Sequence, residues 1–553
     1  MTATASSSPT ASSAPTGASA ASPTARDQAH ARRTLVLLFA TLMIVMLLAS
    51  LSQMVLSSAL PTLVGELDGV EHLSWVITAY LLASTVTMPI YGKVSDLVGR
   101  KPMLIAAVVL FVVGSVLGGL ATDMTALITA RAVQGLGGGG LMVLSQAAIA
   151  DVVPARERGK YMGILGGVFA LSSVAGPLLG GWFTEGPGWR WTFWMNVPLG
   201  LLAIVAILVL MRIPRPELTA RPRIDALGMA LLAAATTGAV LIATWGGSQY
   251  AWNSAEIIGL AIGTVVVSIL FVLVERRASE PVIPLRLFAD RNFVLATVAG
   301  LLVSVAMFGA IGYLPTYFQM SVGASATEAG LLMIPMMASL LLTSIITGTM
   351  ISRSGRYKRL PIVGTAILAG GLVGLSSVTV DTPVAVVCAW MAVIGIGLGT
   401  SMQVMTLVVQ NSFAHREVGT ATAAHNFFRQ VGGSLGSAVV GSVFVTRLGD
   451  LLAERLPAAP GEGGTGSLTP ALVQELPDAL RIPIIESYND ALMPIFLVIA
   501  PLAVAAVIAL LFIVERPLST SIEHEIPAES LAEGQLLLTE EDDVATAPRG
   551  ARN

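Results

Sequence analysis

The most restrictive feature of this sequence is a series of apolar segments, each about twenty residues long or longer. An α-helix rises 1.5 Å per residue, so about twenty apolar residues cross the roughly 30 Å hydrocarbon core of a bilayer. Hydrophobic residues make up 54% of the 553 residues and charged residues only 12%, whereas soluble proteins carry about 25% charged residues. We therefore predict an all-α polytopic membrane protein.

Charged or Gly/Pro-rich breaks divide the apolar sequence into fourteen predicted spanning helices. Their approximate limits are 34–60, 73–92, 102–121, 125–150, 160–183, 191–211, 225–245, 256–274, 292–318, 328–350, 360–378, 384–410, 420–446 and 491–514. The longest predicted connection is the outer loop 447–490, which has a helical pattern near 471–480 and is interpreted as a solvated connector. Residues 1–33 and the acidic segment 517–553 have compositions typical of disordered tails.

The positive charges supply an independent test of this topology, because loops on the cytoplasmic side collect Lys and Arg. Before residue 447, Arg190 is the only basic residue in the predicted outer loops, which instead hold acidic residues such as Asp123 and Asp381. The inner segments hold Arg32, Arg33, Lys93, Arg100, Lys101, Arg156, Arg158 and Lys160, and the basic stretches 212–223, 276–291 and 353–359. The pattern predicts a multi-pass protein of the cell membrane with both termini in the cytoplasm.

Two glycine patterns recur 256 residues apart and indicate an internal duplication. The sequence GKVSDLVGRK begins at Gly92, and GTMISRSGR begins at Gly348. At the same offset, Gly176 and Gly180 in span five align with Gly432 and Gly436 in span thirteen. Spans one to six and nine to fourteen are therefore predicted to be parallel repeats, an arrangement that places a solute site at the midplane between halves.

This duplication predicts five regions along the chain. They are a disordered tail 1–33, a six-helix bundle 34–211, a linker with an extra helix pair 212–291, a second six-helix bundle 292–516 and an acidic tail 517–553. The outer loop 447–490 falls within the second bundle.

Several motifs then resemble one family. Span four carries Arg131, Gln134 and Gly135 in an RxxQG pattern, and span five carries Gly176, Pro177, Gly180 and Gly181. The outer turn from Trp189 to Pro198 and the Ala-Leu-Pro that ends span one fit the same group. On these motifs, the chain resembles the major facilitator superfamily, in its fourteen-helix drug:proton antiporter branch of the EmrB/QacA type.

The resemblance implies a secondary transporter that exports hydrophobic drugs or toxins by proton antiport with alternating access. It would use the proton gradient as its energy source, with no cofactor, and would function as a monomer. Its partners would be hydrophobic small molecules, protons and the lipid bilayer. The same fold dedicated to one endogenous metabolite, antibiotic or lipid is an alternative, and a membrane sensor without transport is another.

The loop between spans two and three is expected to act as a conformational latch. Its glycines let helix ends approach closely, and its acid can cap a helix start or pair with a cation across the interface between halves. The residues concerned are Gly92, Asp96, Gly99, Arg100 and Lys101. A tight turn that merely follows the positive-inside pattern is the simpler interpretation. Ser352 replaces the acid in the second copy, so the latch is expected to be asymmetric.

Arg131 lies inside an apolar span, where a charge is costly unless it faces a cavity or a partner, and such a charge is usually functional. Proton coupling is therefore expected near Arg131. The branch commonly has an acid in span one, in a pattern like LDxxxVNxALP, and Ser52 occupies its place here. Another group must then carry the proton, and a cationic substrate would lose its usual anionic anchor. Arg429 is a further deeply placed cation, unless it extends to the cytoplasmic surface. The proton-coupling set is Arg131, Gln134, Gly135, Glu66, Asp68, Glu328 and His425.

The glycine and proline pattern of span five and the aromatic residues near the midplane complete the predicted site. The resemblance implies that Gly176, Pro177, Gly180 and Gly181 limit proton leakage, whereas close helix packing would equally explain small residues there. The predicted substrate cavity consists of Ser52, Gln53, Trp75, Tyr80, Phe308 and Tyr313. Side chains that face lipid or pack between helices are the alternative for each.

Other functional classes lack their sequence signals. Cys388 is the only cysteine, and the five histidines are scattered without metal-ligand spacing. No GxxxxGK[ST] phosphate loop is present, and no strand-to-helix turn offers a nucleophile elbow. We therefore expect a transporter rather than an enzyme, with no metal and no nucleic-acid partner.

Overall fold

A computed structural model describes residues 25–67, 73–211, 225–247, 249–456 and 470–519. Within these ranges the chain forms α-helices and short 3-10 turns, and no strand occurs beyond an isolated bridge. Fourteen described helical segments are long and apolar enough to cross a membrane. The helices are α1 (Ala25–Glu66), α2 (Leu73–Val98), α3 (Arg100–Gly119), α4 (Met124–Val152), α5 (Ala155–Glu185), α6 (Trp191–Trp194), α7 (Asn196–Leu210), α8 (Ala226–Trp245), α9 (Ala255–Glu275), α10 (Arg291–Ile311), α11 (Leu314–Ser321), α12 (Ala326–Leu332), α13 (Ile334–Ser354), α14 (Arg359–Ser376), α15 (Val384–Gln410), α16 (Val418–Arg455), α17 (Pro470–Glu475) and α18 (Asp478–Leu511).

The fourteen predicted spans are confirmed, and the differences lie at their ends. Residues 25–33, predicted as part of a disordered tail, continue α1, and residues 1–24 lie outside the described ranges. The predicted outer loop 447–490 is shorter than expected, because α16 continues to Arg455 and α18 begins at Asp478. The helical pattern near 471–480 corresponds to α17 and the first residues of α18. These extensions contain many polar residues. The apolar pattern alone therefore ends the helices too early, at the membrane surface.

The helices form two bundles with the same internal packing. In the first bundle, α1–α7, helix α1 packs on α5 while α4 packs on both α2 and α3. In the second bundle, α10–α18, helix α10 packs on α16 while α15 packs on both α13 and α14. The sequence repeat explains this correspondence. Gly176 lets α5 approach Met54 on α1, and its counterpart Gly432 lets α16 approach Leu301 on α10.

The two bundles meet mainly along two helix pairs. Helix α2 packs against α16, and α5 packs against α13. A Cβ atom at Gly92 would collide with Ala423, and one at Gly348 would collide with the backbone of Gly159. The two glycines that are repeat-related therefore serve the same purpose, which is close contact of backbones across the interface.

The extra helix pair lies beside the interface between the bundles. Helices α8 and α9 pack on each other, and α8 also contacts both α2 and α16. Trp75 of α2 stacks edge-on against Trp245 at 5.8 Å, and Trp252 Nε1 donates to Ser442 Oγ of α16 at 2.8 Å. In the most apolar part of α9, only 6% of the residues are buried inside the protein. The pair thus contacts both bundles on one side and leaves its other side for lipid.

Candidate transport site

A cavity of about 180 Å³ lies between the two bundles. Residues of α1, α2, α4 and α5 line one side, and residues of α10, α13, α15 and α16 line the other. Its surface is mostly apolar and rich in methionine, a flexible side chain that adapts to varied shapes. The methionines are Met46, Met54, Met88, Met142, Met307 and Met402.

The cavity contains half of the residues predicted for it. Gln53, Tyr80 and Phe308 line it. Trp75 instead faces the extra helix pair, and Tyr313 packs against Phe444 at 5.7 Å and donates to the Ser437 carbonyl at 3.2 Å. The polar lining residues that the prediction missed include Ser50, Ser84, Gln403 and Gln430. Most of them lie on helices whose apolar pattern does not distinguish a cavity face from a lipid face.

Ser52 lies behind the cavity wall as the acceptor of a buried polar network. Its Oγ accepts hydrogen bonds from Gln134 Nε2 at 3.2 Å and from Asn196 Nδ2 at 3.1 Å. Gln134 also donates to Ser115 Oγ at 2.8 Å. All four side chains are buried. The hydroxyl therefore satisfies two amide donors at the position where the sequence pattern leads one to expect a carboxylate.

Arg131 joins this network without a carboxylate partner among the described residues. Its Nη1 donates to Gln134 Oε1, and its Nε donates to the Val76 carbonyl at 3.2 Å. The guanidinium carbon lies 4.3 Å from the centre of the Tyr80 ring, a cation–π geometry. Gly135 permits the close approach of α4 to α2, since a Cβ there would lie 2.5 Å from the Tyr80 carbonyl oxygen. Arg131, Gln134 and Gly135 thus lie together beside Tyr80, and their role in proton coupling stays a prediction.

The Asp96 loop joins the two bundles at one end of the molecule, which we call the basic end because Arg100, Arg156 and Arg353 lie there. Asp96 Oδ2 accepts hydrogen bonds from the backbone N–H of Thr420 at 2.7 Å and from its hydroxyl at 2.5 Å. Thr420 lies in the first turn of α16, where a carboxylate complements the positive end of the helix dipole. Of the two roles foreseen for Asp96, the structure has the cap of a helix start.

Asp96 forms its ion pair within its own bundle. Its Oδ1 lies 2.5 Å from Arg100 Nη2, and Arg100 Nε also lies 3.0 Å from Asp151 Oδ2. Gly99 has a φ of 103°, which permits the sharp turn from α2 into α3. Lys101 points elsewhere and donates to the carbonyls of Leu208 and Met211 at the end of α7, at 2.9 and 3.0 Å.

The second copy of the loop makes a different contact between the bundles. Arg156 of α5 donates to the carbonyls of Ser352 and Arg353 at the end of α13, at 3.1 and 3.0 Å. Ser352 Oγ donates back to the Arg156 carbonyl at 3.1 Å. A cation at a helix C-terminus here replaces the anion at a helix N-terminus seen with Asp96. The two copies of the loop therefore make different contacts, and their role as an asymmetric latch stays a prediction.

Buried amides also connect the bundles. Asn426 Nδ2 of α16 donates to Gln146 Oε1 of α4 at 2.8 Å. Gln410 Nε2 of α15 is 3.4 Å from the Gln146 carbonyl oxygen. Met88, Val143 and Ala423 form an apolar cluster that includes both bundles. Together with the Asp96 and Arg156 contacts, these residues close the basic end.

A segment after the last helix crosses the basic end. Residues 513–519 contact the second bundle through Arg516, whose Nη2 lies 2.7 Å from Asp290 Oδ2, and through Glu515, whose Oε1 accepts from the Tyr357 backbone N–H at 2.7 Å. The Ser519 carbonyl then accepts a hydrogen bond from the Arg156 backbone N–H of the first bundle at 3.1 Å. We call residues 513–519 the strap, since they connect both bundles.

Two of the carboxylates proposed as proton carriers, Glu66 and Glu328, lie away from the cavity. Glu66 is exposed at the opposite end, where it accepts a hydrogen bond from Trp189 Nε1 at 2.8 Å and pairs with Arg190. These contacts, that of Arg190 first, lower the pKa of the Glu66 carboxyl. Glu328 is also exposed and forms a capping box with Ser325 at the start of α12. Asp68 lies outside the described residues.

His425 and Arg429 lie one turn apart on α16, next to the cavity. His425 is buried, with Nδ1 3.4 Å from Thr297 Oγ1, and Gly300 of α10 leaves room for its ring. Arg429 lines the cavity itself. Neither His425 Nε2 nor Arg429 Nη1 has a hydrogen-bond partner among the described residues.

The glycines of the antiporter-type pattern have separate surroundings. Gly176 lies against Met54 of α1. Pro177 lies near Gly330 of α12 in the other bundle, since a Cβ atom added at Gly330 would be 3.6 Å from the Pro177 ring. Gly180 is buried, and no atom would lie within 4 Å of a Cβ at Gly181. Close packing thus explains Gly176, while Pro177 lies at the interface between the bundles.

Comparison with known proteins identifies the family of this two-bundle fold. A model of the Major Facilitator Superfamily matches residues 42–437. The chain belongs to the Major Facilitator Superfamily. It is a multi-pass membrane transporter and not an enzyme, and the resemblance noted in its motifs is confirmed.

Relatives in this superfamily cover most of the chain. An uncharacterized MFS-type transporter of Mycobacterium tuberculosis is 40% identical over 90% of this chain and 72% of its own length. A multidrug transporter protein of Bacillus subtilis, MdtP, is 36% identical over 78% of this chain and 79% of its own. The solved structure of the proton:xylose symporter XylE is similar in fold, with a TM-score of 0.57 at 16% identity, covering 90% of this chain and 99% of that one.

Proposed function

We propose that this chain is a secondary active transporter that exports hydrophobic small molecules across the cytoplasmic membrane by proton antiport with alternating access. The observation that carries the proposal is the methionine-lined cavity between two bundles whose contacts close one end. A largely apolar wall with a few polar groups suits hydrophobic compounds of varied shape. The relative MdtP is named a multidrug transporter, which agrees with this substrate class.

The direction of the cycle follows from the charge distribution. We assign the basic end to the cytoplasm, because Lys and Arg collect on that side of a membrane. An even number of spans then leaves both termini there. Under this assignment the conformation is closed towards the cytoplasm. Export requires that this end open, accept a compound and close again.

Closure of the basic end includes charged contacts at two helix ends, which suit a switch between conformations. The Asp96 cap of α16 and the Arg156 cap of α13 both join a charged side chain to a helix end across the interface. Helix-end contacts break without loss of the helices themselves. Protonation or substrate binding drives transport only if it favours one conformation over the other.

Proton coupling is the part of the proposal that needs a carrier. No carboxylate lines the cavity among the described residues. The candidates are His425, which is buried beside the cavity, and the acids Glu66, Asp68 and Glu328. Each is tested by the pH dependence of export in its neutral variant, since only loss of the true carrier removes that dependence. The transporter is proposed to act as a monomer, without a cofactor.

The decisive experiment is transport by purified protein in lipid vesicles. A proton gradient is imposed, a panel of hydrophobic dyes is added, and internal pH and dye movement are recorded together, with Asp96→Asn protein as the control. We expect dye export accompanied by proton movement in the opposite direction. Proton movement that does not depend on dye would reject antiport. Export that persists after the gradient is collapsed would reject proton coupling.

A further inference from the structure

The central cavity contains a positive charge that nothing in the described protein compensates. Arg429 lines the cavity, and its Nη1 is buried without a hydrogen-bond partner. No described carboxylate lies within ion-pair distance of its guanidinium. None of the residues that line the cavity is Asp or Glu. An unpaired charge in a low-dielectric site is costly, so such a group normally has an anionic partner.

The position of Arg429 excludes the simpler possibility that it reaches the membrane surface. Helix α16 begins at Val418, and Arg429 lies eleven residues further along. At 1.5 Å per residue, this is about 16 Å from the helix start, or about half of the hydrocarbon thickness. Gln430, next to it, lines the same cavity. The guanidinium therefore belongs to the cavity and not to the basic end.

A second cation adds to the positive potential. The Arg131 guanidinium lies against the ring of Tyr80, and Tyr80 is also one of the residues that line the cavity. Its described polar partners are Gln134 and a backbone carbonyl, both of which are neutral. Ser52, at the position where the family pattern has an acid, is also neutral. The cavity thus has two nearby positive charges and no negative one among the described residues.

We propose that this cavity selects acidic amphiphiles, which are compounds with an apolar body and one carboxylate or similar anionic group. The anionic group pairs with Arg429, and the apolar body packs against Met54, Met307, Met402 and Phe308. A cationic compound would meet only repulsion, because the cavity offers no acid to bind it. This inference rests on the proposed transport function and defines the substrate class of the same site.

The test measures binding to the purified transporter with three dansyl-labelled probes that share one alkyl chain. The probes end in a carboxylate, a carboxamide or a trimethylammonium group. The wild type is compared with Arg429→Gln and Arg429→Lys, and Arg447→Gln is the matched control because Arg447 is an exposed arginine of the same helix. The pH is held above the range in which the carboxylate probe titrates.

We expect the carboxylate probe to bind at least about tenfold more tightly than the carboxamide probe. This difference in affinity is the usual effect of one added ion pair in a partly desolvated site. Arg429→Gln should remove this preference, Arg429→Lys should retain part of it, and Arg447→Gln should leave it unchanged. Unchanged carboxamide binding in Arg429→Gln shows that the cavity is intact. Tightest binding of the ammonium probe, or a preference that survives Arg429→Gln, would overturn the proposal.

Two further arms distinguish an inorganic anion from an organic one, and substrate selectivity from export. If replacement of gluconate by chloride in the buffer abolishes the carboxylate preference, Arg429 holds an inorganic anion and the proposal is rejected. Binding is measured without a membrane gradient, so it does not depend on export. Charge-selective binding without export in vesicles would reject the proposed export alone. Export without charge selectivity would reject only the acidic substrate class.

Discussion

The Asp96 carboxylate of one bundle accepts two hydrogen bonds from Thr420, at the first turn of a helix in the other bundle. One donor is a backbone N–H that has no partner within its own helix, because the first turn of a helix leaves its N–H groups free. The same acid forms an ion pair with Arg100, which fixes its orientation. Asp96 thereby joins surfaces of the two bundles, which the proposed opening of the basic end would separate.

Asp96→Asn should therefore reduce export strongly while leaving the protein in the membrane. The amide retains the shape but loses the charge, and a hydrogen bond to a charged group contributes about 1.5–3 kcal/mol. Such a change shifts a conformational equilibrium by about tenfold to a hundredfold. The measurement is dye export per unit of membrane-inserted protein. Asp381→Asn is the control, because Asp381 is exposed in a loop. Normal export by Asp96→Asn would contradict the latch.

Gly92→Val should prevent full closure of the basic end. A Cβ at this position would collide with Ala423 of α16, so the two helices must separate to accept valine. We expect cross-linking between cysteines introduced at Gln146 and Asn426, in a background lacking Cys388, to fall relative to the same pair with Gly92. Gly263→Val is the control, since a Cβ at Gly263 meets no atom within 4 Å. Equal cross-linking in both variants would count against the close approach.

The fold was predictable because two independent patterns agree. Apolar length predicts the spans, and the positions of Lys and Arg predict their direction. The repeat from Gly92 to Gly348 then predicts the two bundles. The cavity was less predictable because, on a membrane helix, side chains that face lipid and those that face a hydrophobic cavity are both apolar. Trp75 and Tyr313 illustrate the problem, since they fit the pattern but lie elsewhere.

The polar network around Ser52 was also only partly predictable from the sequence. The absence of an acid at this position is visible in the sequence. The hydrogen-bond partners of Ser52 are not visible in the sequence. Gln134 and Asn196 are 82 and 144 residues away along the chain and contact Ser52 only through tertiary packing. The pattern of residue types along one helix carries no information about hydrogen bonds to residues far away in the chain.

Ser52→Ala should lower the thermal stability of the transporter in detergent. The change removes the acceptor of two buried amide donors, and leaving a buried donor unsatisfied costs about 1–3 kcal/mol. Ser52→Thr retains the hydroxyl and should melt closer to the wild type than Ser52→Ala does. Ser376→Ala is the control, because Ser376 is not fully buried and bonds only to its own helix. A melting temperature of Ser52→Ala equal to that of the control would show that the network does not stabilise the fold.

The Glu66 carboxyl gives a prediction about pH. Its pKa is lowered from the ordinary value of 4.5 by Arg190 and Trp189. A lowered pKa in the folded state means that the ionised form is favoured, so its stabilising contribution is present above pH 4.5 and is lost as the pH falls below it. Glu66→Gln should lower the melting temperature slightly at neutral pH, since the pair is exposed, and not at all once the wild-type acid is protonated.

The same variant separates a structural role for Glu66 from proton carriage. We expect the pH dependence of export to be unchanged in Glu66→Gln, because the acid lies at the opposite end and away from the cavity. His425→Asn provides the comparison, since His425 is buried beside Arg429. If Glu66→Gln alone removed the pH dependence of export, Glu66 would be the carrier and the structural interpretation would be wrong.

The strap should contribute to closure of the basic end through a short set of contacts. A chain that ends after Ser519 retains every contact described for residues 513–519. A chain that ends after Phe512 loses the bonds of Arg516 to Asp290, of Glu515 to Tyr357 and of Ser519 to Arg156. It also loses the burial of Leu518, which packs in a cluster that includes Ala155 of the first bundle. The shorter chain therefore loses a direct connection between the bundles.

We expect the chain that ends after Ser519 to match the full-length protein in melting temperature and in the Gln146–Asn426 cysteine cross-link. The chain that ends after Phe512 should melt at a lower temperature and cross-link less, since both bundles lose a shared partner. Arg516→Gln in the full-length protein should produce a smaller effect in the same direction, because it removes one ion pair and leaves the backbone contacts. Equal behaviour of the two shortened chains would show that the strap follows closure without stabilising it.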